Sequence, residues 1–370
     1  MLAWMGAAVS GAWLLRRDWQ IPWVVLCTSF FMAIYSPWSV LVLIIMTALV
    51  GVSVINFRGR LDVLIVALVI SVLTFLIYRM ITGAGLDAVD MSLLGLAFYM
   101  LRIIHVLLES YKGNLAIVRW SELIAWLWFL PTIQVGPIHR FSPFQRDMAR
   151  RRWDSNLFEL GMRRMLFGYA KLVVLGLYLI DDKLMLWVSS LPANSWAYHY
   201  FSLLRYGASL YLKFAGYSDI AIGFALLLGF RVMENFNFPF LARDISDFWR
   251  RWHISLSSWC REYVYMPAIS VSRSPLIAAV ASMVVLGVWH ELSWRYLLWG
   301  AWHGVGIACC HFWQKSSLRT TILNSPIVSC WSIFSWLLTM HFVLASFTLT
   351  SVDSLVETMY YLQVLTGLSP

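Results

Sequence analysis

The sequence predicts an all-α, polytopic integral-membrane protein, and three observations carry that prediction. Of 370 residues, 60% are hydrophobic and only 13% are charged. That is about half the charged share of a soluble domain, too little polar surface to cover a water-soluble globule. Runs such as 38–55, 61–81 and 276–289 are nearly free of charge, and a bilayer core takes roughly 20 apolar residues per helix. These runs are continuous rather than alternating. That suits helices, which satisfy their backbone polar groups internally, and not barrel strands.

Candidate spans lie near 2–15, 21–34, 37–55, 61–82, 91–108, 121–137, 160–190, 195–231, 275–289, 294–313, 329–350 and 354–367. About nine to eleven of them are expected to cross, the rest being re-entrant or interfacial. Residues 2–15 lack the basic start of a leader and are followed by Arg16, Arg17 and Asp18, so they read as a short membrane helix. No long soluble insertion, low-complexity tract or repeat interrupts the chain, which reads as one membrane domain over 1–370.

The net charge of +9 is unevenly spread, with five arginines against one aspartate between Arg140 and Arg152. That is the pattern of a cytoplasmic loop under the positive-inside rule, able to meet anionic lipid or an anionic donor. Being short and set between spans, it is not a nucleic-acid surface. The five cysteines form no C-x-x-C pair and no zinc spacing.

Polar residues concentrate between Ser110 and His303, and buried polar groups in a membrane usually have a purpose. In "FLPTIQVGPIHRF" (129–141), Pro131 and Pro137 break a helix and Gly136 lets the backbone turn. His139 reads as a loop residue near the headgroups. In 215–251, Tyr217, Ser218 and Asp219 interrupt an apolar run, and Asp219 reads as a polar clamp between helices. "MENFNFPF", with Asn235, Asn237 and Pro239, is a loop.

Asp244 or Asp247 can cap the next helix. Trp249, Trp252, Leu256, Trp259 and Tyr263 then recur at spacings of 3 and 4, the stripe of one continuous helical face that Pro267 ends. An aromatic face with a charged back describes an interfacial or re-entrant helix. In "GVWHELSWRYLLWGAWHGVG" (287–306), His290 follows the apolar run, and Trp294 shares its face on a continuous helix. On that helix His303 lies about 220° round and roughly 20 Å along, so His290 and His303 cannot act on one atom unless Gly300 breaks it. There is no G-x-S-x-G elbow and no H-E-x-x-H site. A histidine base for a hydroxyl acceptor fits what is present.

The ordered set "GPIHRF", "GYSDIAIGFALLLGFRVMENFNFPF", "FWRRWHISLSSWCREYVYMP" and "GVWHELSWRYLLWGAWHG" closely resembles the membrane-bound O-acyltransferase (MBOAT) family. It is most similar to the bacterial branch of alginate O-acetylation and teichoic-acid D-alanylation transferases. The resemblance runs over about 97–313. It implies a ring of helices around a thin centre, a multi-pass protein of the bacterial inner membrane, and no bound cofactor. The implied donor is acetyl-CoA or another acyl thioester. The implied acceptor is a cell-surface polysaccharide, reached directly or through an extracytoplasmic acetyltransferase partner or assembly complex. By position in the motifs, His290 matches the catalytic histidine and His253 the second one. Tyr217, Asp219, Asn235, Asn237, Trp252, Trp289 and Trp294 are the supporting or channel residues.

The chain departs from the family where Glu291 replaces the usual glycine after the catalytic histidine, placing beside the base a charge that would raise its pKa. The alternatives are D-alanyl transfer within the same fold, a catalytically inactive relative, which Glu291 would suit, and a proton-coupled transporter. The transporter lacks the related halves and paired broken helices it should show.

Overall fold

The computed structural model describes residues 2–83, 93 and 95–367. The first residues of the expected 91–108 span lie outside that range. The described residues contain helices and no strand, as an apolar chain with no alternating segments requires. Among the described residues, four helices are long and apolar enough to cross a membrane: Pro37–Asn56, Leu61–Ile81, Trp196–Leu227 and Val328–Leu349. Leu2–Leu14 and Pro275–His290 are shorter apolar helices. The run expected at 160–190 is one helical stretch, α-helical over Ser155–Tyr169, π-helical over Ala170–Leu184 and α-helical again over Met185–Ser189.

Contacts divide the chain into two compact units that interleave in sequence. The first comprises Met1–Gly168 and Tyr217–Glu234; the second comprises Tyr169–Gly216 and Asn235–Pro370.

In the first unit, the break expected at 129–141 is present. Helix Trp120–Leu127 ends, Leu130–Thr132 makes one 3-10 turn, and Gly136 takes a positive φ of 137°. The free carbonyls at that helix end are met by Arg102, which is 1% exposed and donates to Trp126 O at 3.0 Å and Leu127 O at 3.3 Å. His139 is the loop residue the sequence predicts, and it is buried. Its Nδ1 is 3.1 Å from Thr132 Oγ1, and its ring sits among Trp126, Phe129 and Phe144. A loop that folds back over an aromatic nest buries its histidine, which periodicity cannot foresee.

Asp219 is buried, and its Oδ1 accepts from Arg164 Nε at 2.6 Å. Arg164 also pairs with Glu234. The carboxylate thus ties the long helix Trp196–Leu227 to Ser155–Tyr169. Asp219→Ala is expected to lower stability by about 1–2 kcal/mol. That is less than the ~3–5 typical of breaking a fully buried pair, because Glu234 still holds the half-exposed guanidinium. Asp219→Asn, which keeps a hydrogen-bond acceptor, should lose less. Thermal denaturation in detergent checks both.

In the second unit, Asp181 on the π-helical run accepts from Lys213 at 2.8 Å and Arg205 at 3.2 Å on the long helix, fixing the two together. Helices Pro275–His290 and Trp294–Gln314 form an antiparallel hairpin. Three glycines let its backbones approach. A Cβ added at Gly287 would strike the Tyr296 carbonyl, and one at Gly300 the Met283 carbonyl. At Gly304 it would lie 2.5 Å from Val280 Cα. Small residues serve the same purpose wherever membrane helices pack closely.

The wall at 245–272 departs from the single helix expected. Asp244 caps Ile245–Arg251, accepting from Asp247 N at 2.7 Å. The chain then leaves the helix at Trp252 and His253, resumes at Ile254–Cys260, and continues through Arg261–Tyr265 into Met266–Ser272. Pro267 does not end the run. It stands inside the continuous helical run, directly after the π-helical segment Arg261–Tyr265, the kind of local adjustment that accommodates a residue with no N–H to donate.

Candidate active site

The hairpin decides where His290 and His303 lie. The chain does not run as one helix from 287 to 306, and Gly300 is not the break. Helix Pro275–His290 ends at Glu291, which is extended (φ −157°, ψ 137°), and Ser293 caps the next helix through Tyr296 N. Folded back this way, His290 and His303 line one cavity, which the continuous-helix geometry excluded. His253 lines it too, together with Phe214, Trp249, Trp252, Tyr296 and Trp299. The cavity holds about 120 Å³ and lies within the second unit.

His253 is 2% exposed and takes a left-handed backbone conformation, φ 43° and ψ 55°. For a residue other than glycine this costs on the order of 1–3 kcal/mol, so the surroundings must impose it. They do so through the residues that follow it. The His253 carbonyl accepts from Leu256 N and Ser257 N, opening the next helix. Asn235 holds the following residues, its carbonyl accepting from Ile254 N at 2.9 Å and its side-chain oxygen from Ser255 Oγ at 2.8 Å. The kink turns the His253 ring against Phe214, with centroids 4.7 Å apart, and towards Trp289 at 6.4 Å. Its Nε2 is buried and makes no hydrogen bond. Lying outside the apolar candidate spans, His253 is held well below the ordinary histidine range, first by burial and then by the neighbouring His290. It is therefore neutral at pH 7.

The His290 ring packs between Trp289 at 4.7 Å, Tyr296 at 5.9 Å and Trp299 at 5.8 Å. Glu291, the departure from the family pattern, has a cation of its own: its Oε1 accepts from Arg295 Nη2 at 3.1 Å. Arg295 is the more buried of that pair, and Asp353 lies 3.8 Å from it.

The other expected site residues separate. Trp252 lines the cavity, and Trp289 touches both candidate histidines without lining it. Asn235 acts through the backbone of the wall. Asn237 is exposed, and its N–H donates to Arg251 O at 2.9 Å. Trp294 is 73% exposed and does not line the cavity. The helix break at 291–293 removes the shared face that linked it to His290. Tyr217 and Asp219 belong to the first unit. Sequence reading missed Phe214, Tyr296 and Trp299, and set His303 aside. The i, i+4 pair Trp299 and His303 was the available signal. Among the described residues, no cluster of three or more His, Cys, Asp or Glu side chains is placed to hold a metal ion.

The MBOAT, membrane-bound O-acyltransferase family profile matches residues 19–352. The chain belongs to the membrane-bound O-acyltransferase family. That match reaches well beyond the 97–313 over which motifs alone were recognisable. The chain is 32% identical over 254 residues to the probable alginate O-acetylase AlgI of Azotobacter vinelandii, covering 67% of this chain and 49% of the relative. It is 29% identical over 276 residues to the teichoic acid D-alanyltransferase of Bacillus subtilis, covering 70% and 69%. With the peptidoglycan O-acetyltransferase of Helicobacter pylori it shares 26% over 404 residues, covering 94% and 74%. The chain spans about half the length of the alginate-type relatives it matches. As an MBOAT member it is an all-α, multi-pass membrane protein, and the family's named relatives are O-acyltransferases.

Proposed function

We propose that this chain is an O-acetyltransferase of the bacterial inner membrane. It takes an acetyl group from a cytoplasmic thioester, acetyl-CoA or a carrier-bound equivalent, and delivers it to a hydroxyl of a cell-surface polysaccharide. Delivery is direct or through an extracytoplasmic partner protein. The observation that supports this reading best is the meeting of His253 and His290 on one small, largely aromatic cavity.

In the reaction, His290 accepts the proton of the acceptor hydroxyl as its oxygen bonds to the acyl carbon. The carbon–sulfur bond then breaks, and the leaving thiolate takes up a proton. In this reading His253, with its buried Nε2 free of other bonds, donates a hydrogen bond from that nitrogen to the oxygen that gains charge during attack. The alternative, D-alanyl transfer, is favoured by the similarity to the teichoic acid D-alanyltransferase. The cavity favours acetyl, because none of the residues lining it is Asp or Glu. A D-alanyl ammonium would be desolvated there without a counter-ion, which is costly.

The test incubates membranes holding the full chain with labelled acetyl-CoA and the native surface glycan fraction. Label is expected in glycan or in a partner protein. Transfer from a D-alanyl carrier-protein thioester but not from acetyl-CoA would replace acetyl by D-alanyl. Transfer from neither would overturn the acyltransferase reading.

A further inference from the structure

We propose that His303 is a positioning residue that sets the length of acyl group the cavity accepts, through the two indole rings it holds in place. The inference rests on the acyl-transfer reading above and adds the group that limits its acyl chain.

His303 is 1% exposed, and both of its ring nitrogens are committed. Trp249 Nε1 donates to Nδ1 at 3.3 Å, and Nε2 lies 2.9 Å from Ser346 Oγ. Ser346 Oγ itself donates to Val343 O at 2.7 Å, so it must accept from His303. The network thus assigns the proton to Nε2 and leaves no lone pair on the ring for a base. In this His303 differs from His253, whose buried Nε2 is unbonded.

What the chain of bonds fixes is the wall of the cavity. The His303 ring packs on Trp249 at 5.3 Å and on Trp299 at 4.8 Å, and the two indoles meet edge to face at 5.8 Å. Trp299 also meets His290 at 5.8 Å, so it stands between the proposed base and His303. A chain growing from an acyl carbon beside His290 therefore runs into an indole whose neighbours cannot rotate away. The whole cavity, of which that room is a part, is about 120 Å³. An apolar cavity of roughly 150 Å³ takes benzene, a six-carbon ring. By that comparison the space suits a short acyl group, acetyl or propionyl, better than a long one. Rigid aromatic walls make such a limit sharp, where flexible methionines would yield.

The test uses detergent-purified full chain and pantetheine thioethers, which carry the arm shared by CoA and carrier-protein donors. Affinities for the S-ethyl, S-propyl, S-butyl and S-hexyl compounds are measured without turnover. Wild type should bind S-ethyl and S-propyl and bind S-hexyl at least about tenfold more weakly, the usual scale of overpacking. Trp299→Leu and His303→Ala should reverse the order, gaining about fourfold per added methylene, the value of burying one CH₂. Ser346→Ala, which removes one hydroxyl, should shift it in the same direction, and His303→Gln, which keeps a donor and an acceptor, should preserve the wild-type order. A purely structural His303 would weaken every ligand alike. That result overturns the proposal, as does a wild-type profile flat with chain length, or saturable binding of none. Wild type is informative even if a variant does not fold. If chain-length-selective binding stands while no label reaches glycan, the transfer reading has failed and the length limit has not.

Discussion

Replacing His290 by alanine is expected to lower acetyl transfer by about 10²–10⁴-fold, the contribution of a positioned general base. The imidazole ends an apolar helix, packed among three aromatic rings on the cavity that His253 also lines. No Asp or Glu lines that cavity to take over as base. His303 lines it, but both of its nitrogens are engaged. His290→Gln should therefore fail as fully as His290→Ala. Trp294→Ala supplies the contrast. The two residues are four apart in sequence, yet Trp294 lies exposed beyond the helix break. Its replacement should leave the rate within about threefold of wild type, the range of ordinary surface changes. The measurement is initial rate of label transfer at matched protein levels in membranes. Full transfer by His290→Ala would remove His290 as the base.

Gly300→Ala is expected to destabilise the chain by about 2–3 kcal/mol and to reduce transfer with it. The added methyl would meet the Met283 carbonyl and the Val284 Cα, both backbone, so no rotamer change relieves the clash. The two helices must part, and the hairpin carries His290 on one arm and Trp299 and His303 on the other. Gly6→Ala is the matched control. It too lies in a helix, nothing lies within 4 Å of its new methyl, and alanine is the better helix former. Thermal denaturation of the two variants in one detergent should show a lowered midpoint for Gly300→Ala alone. Equal midpoints would mean that the close approach of the hairpin contributes nothing.

How far the site was legible in the sequence depends on the kind of residue. His290 and His253 were found by the order of four motifs, not by periodicity, which left His253 beside a stripe with no evident task. The spacing of Trp249, Trp252, Leu256, Trp259 and Tyr263 correctly named side chains that turn inward; all but Tyr263 are buried. It also implied an unbroken helix, and that failed at a single pair. No glycine or proline marks Trp252 and His253. The kink is imposed by Asn235, 18 residues earlier in the chain, bonding to Ile254 and Ser255. Spacing rules compare residues along one element and cannot register a hydrogen bond that arrives from another.

The sequence by itself determined the class of protein and its family. Apolar length and scarcity of charge leave no soluble alternative, because in lipid only internal backbone bonding is available. The tertiary structure alone decided which polar groups meet. It folded the chain at 291–293 and so brought His303 onto the cavity of His290. It gave Asp219 to Arg164, Glu291 to Arg295, and left Trp294 outside. The reason is physical: hydrophobic content is a sum over local composition, whereas a site is a set of directions. One break in a helix turns every later side chain through a new angle.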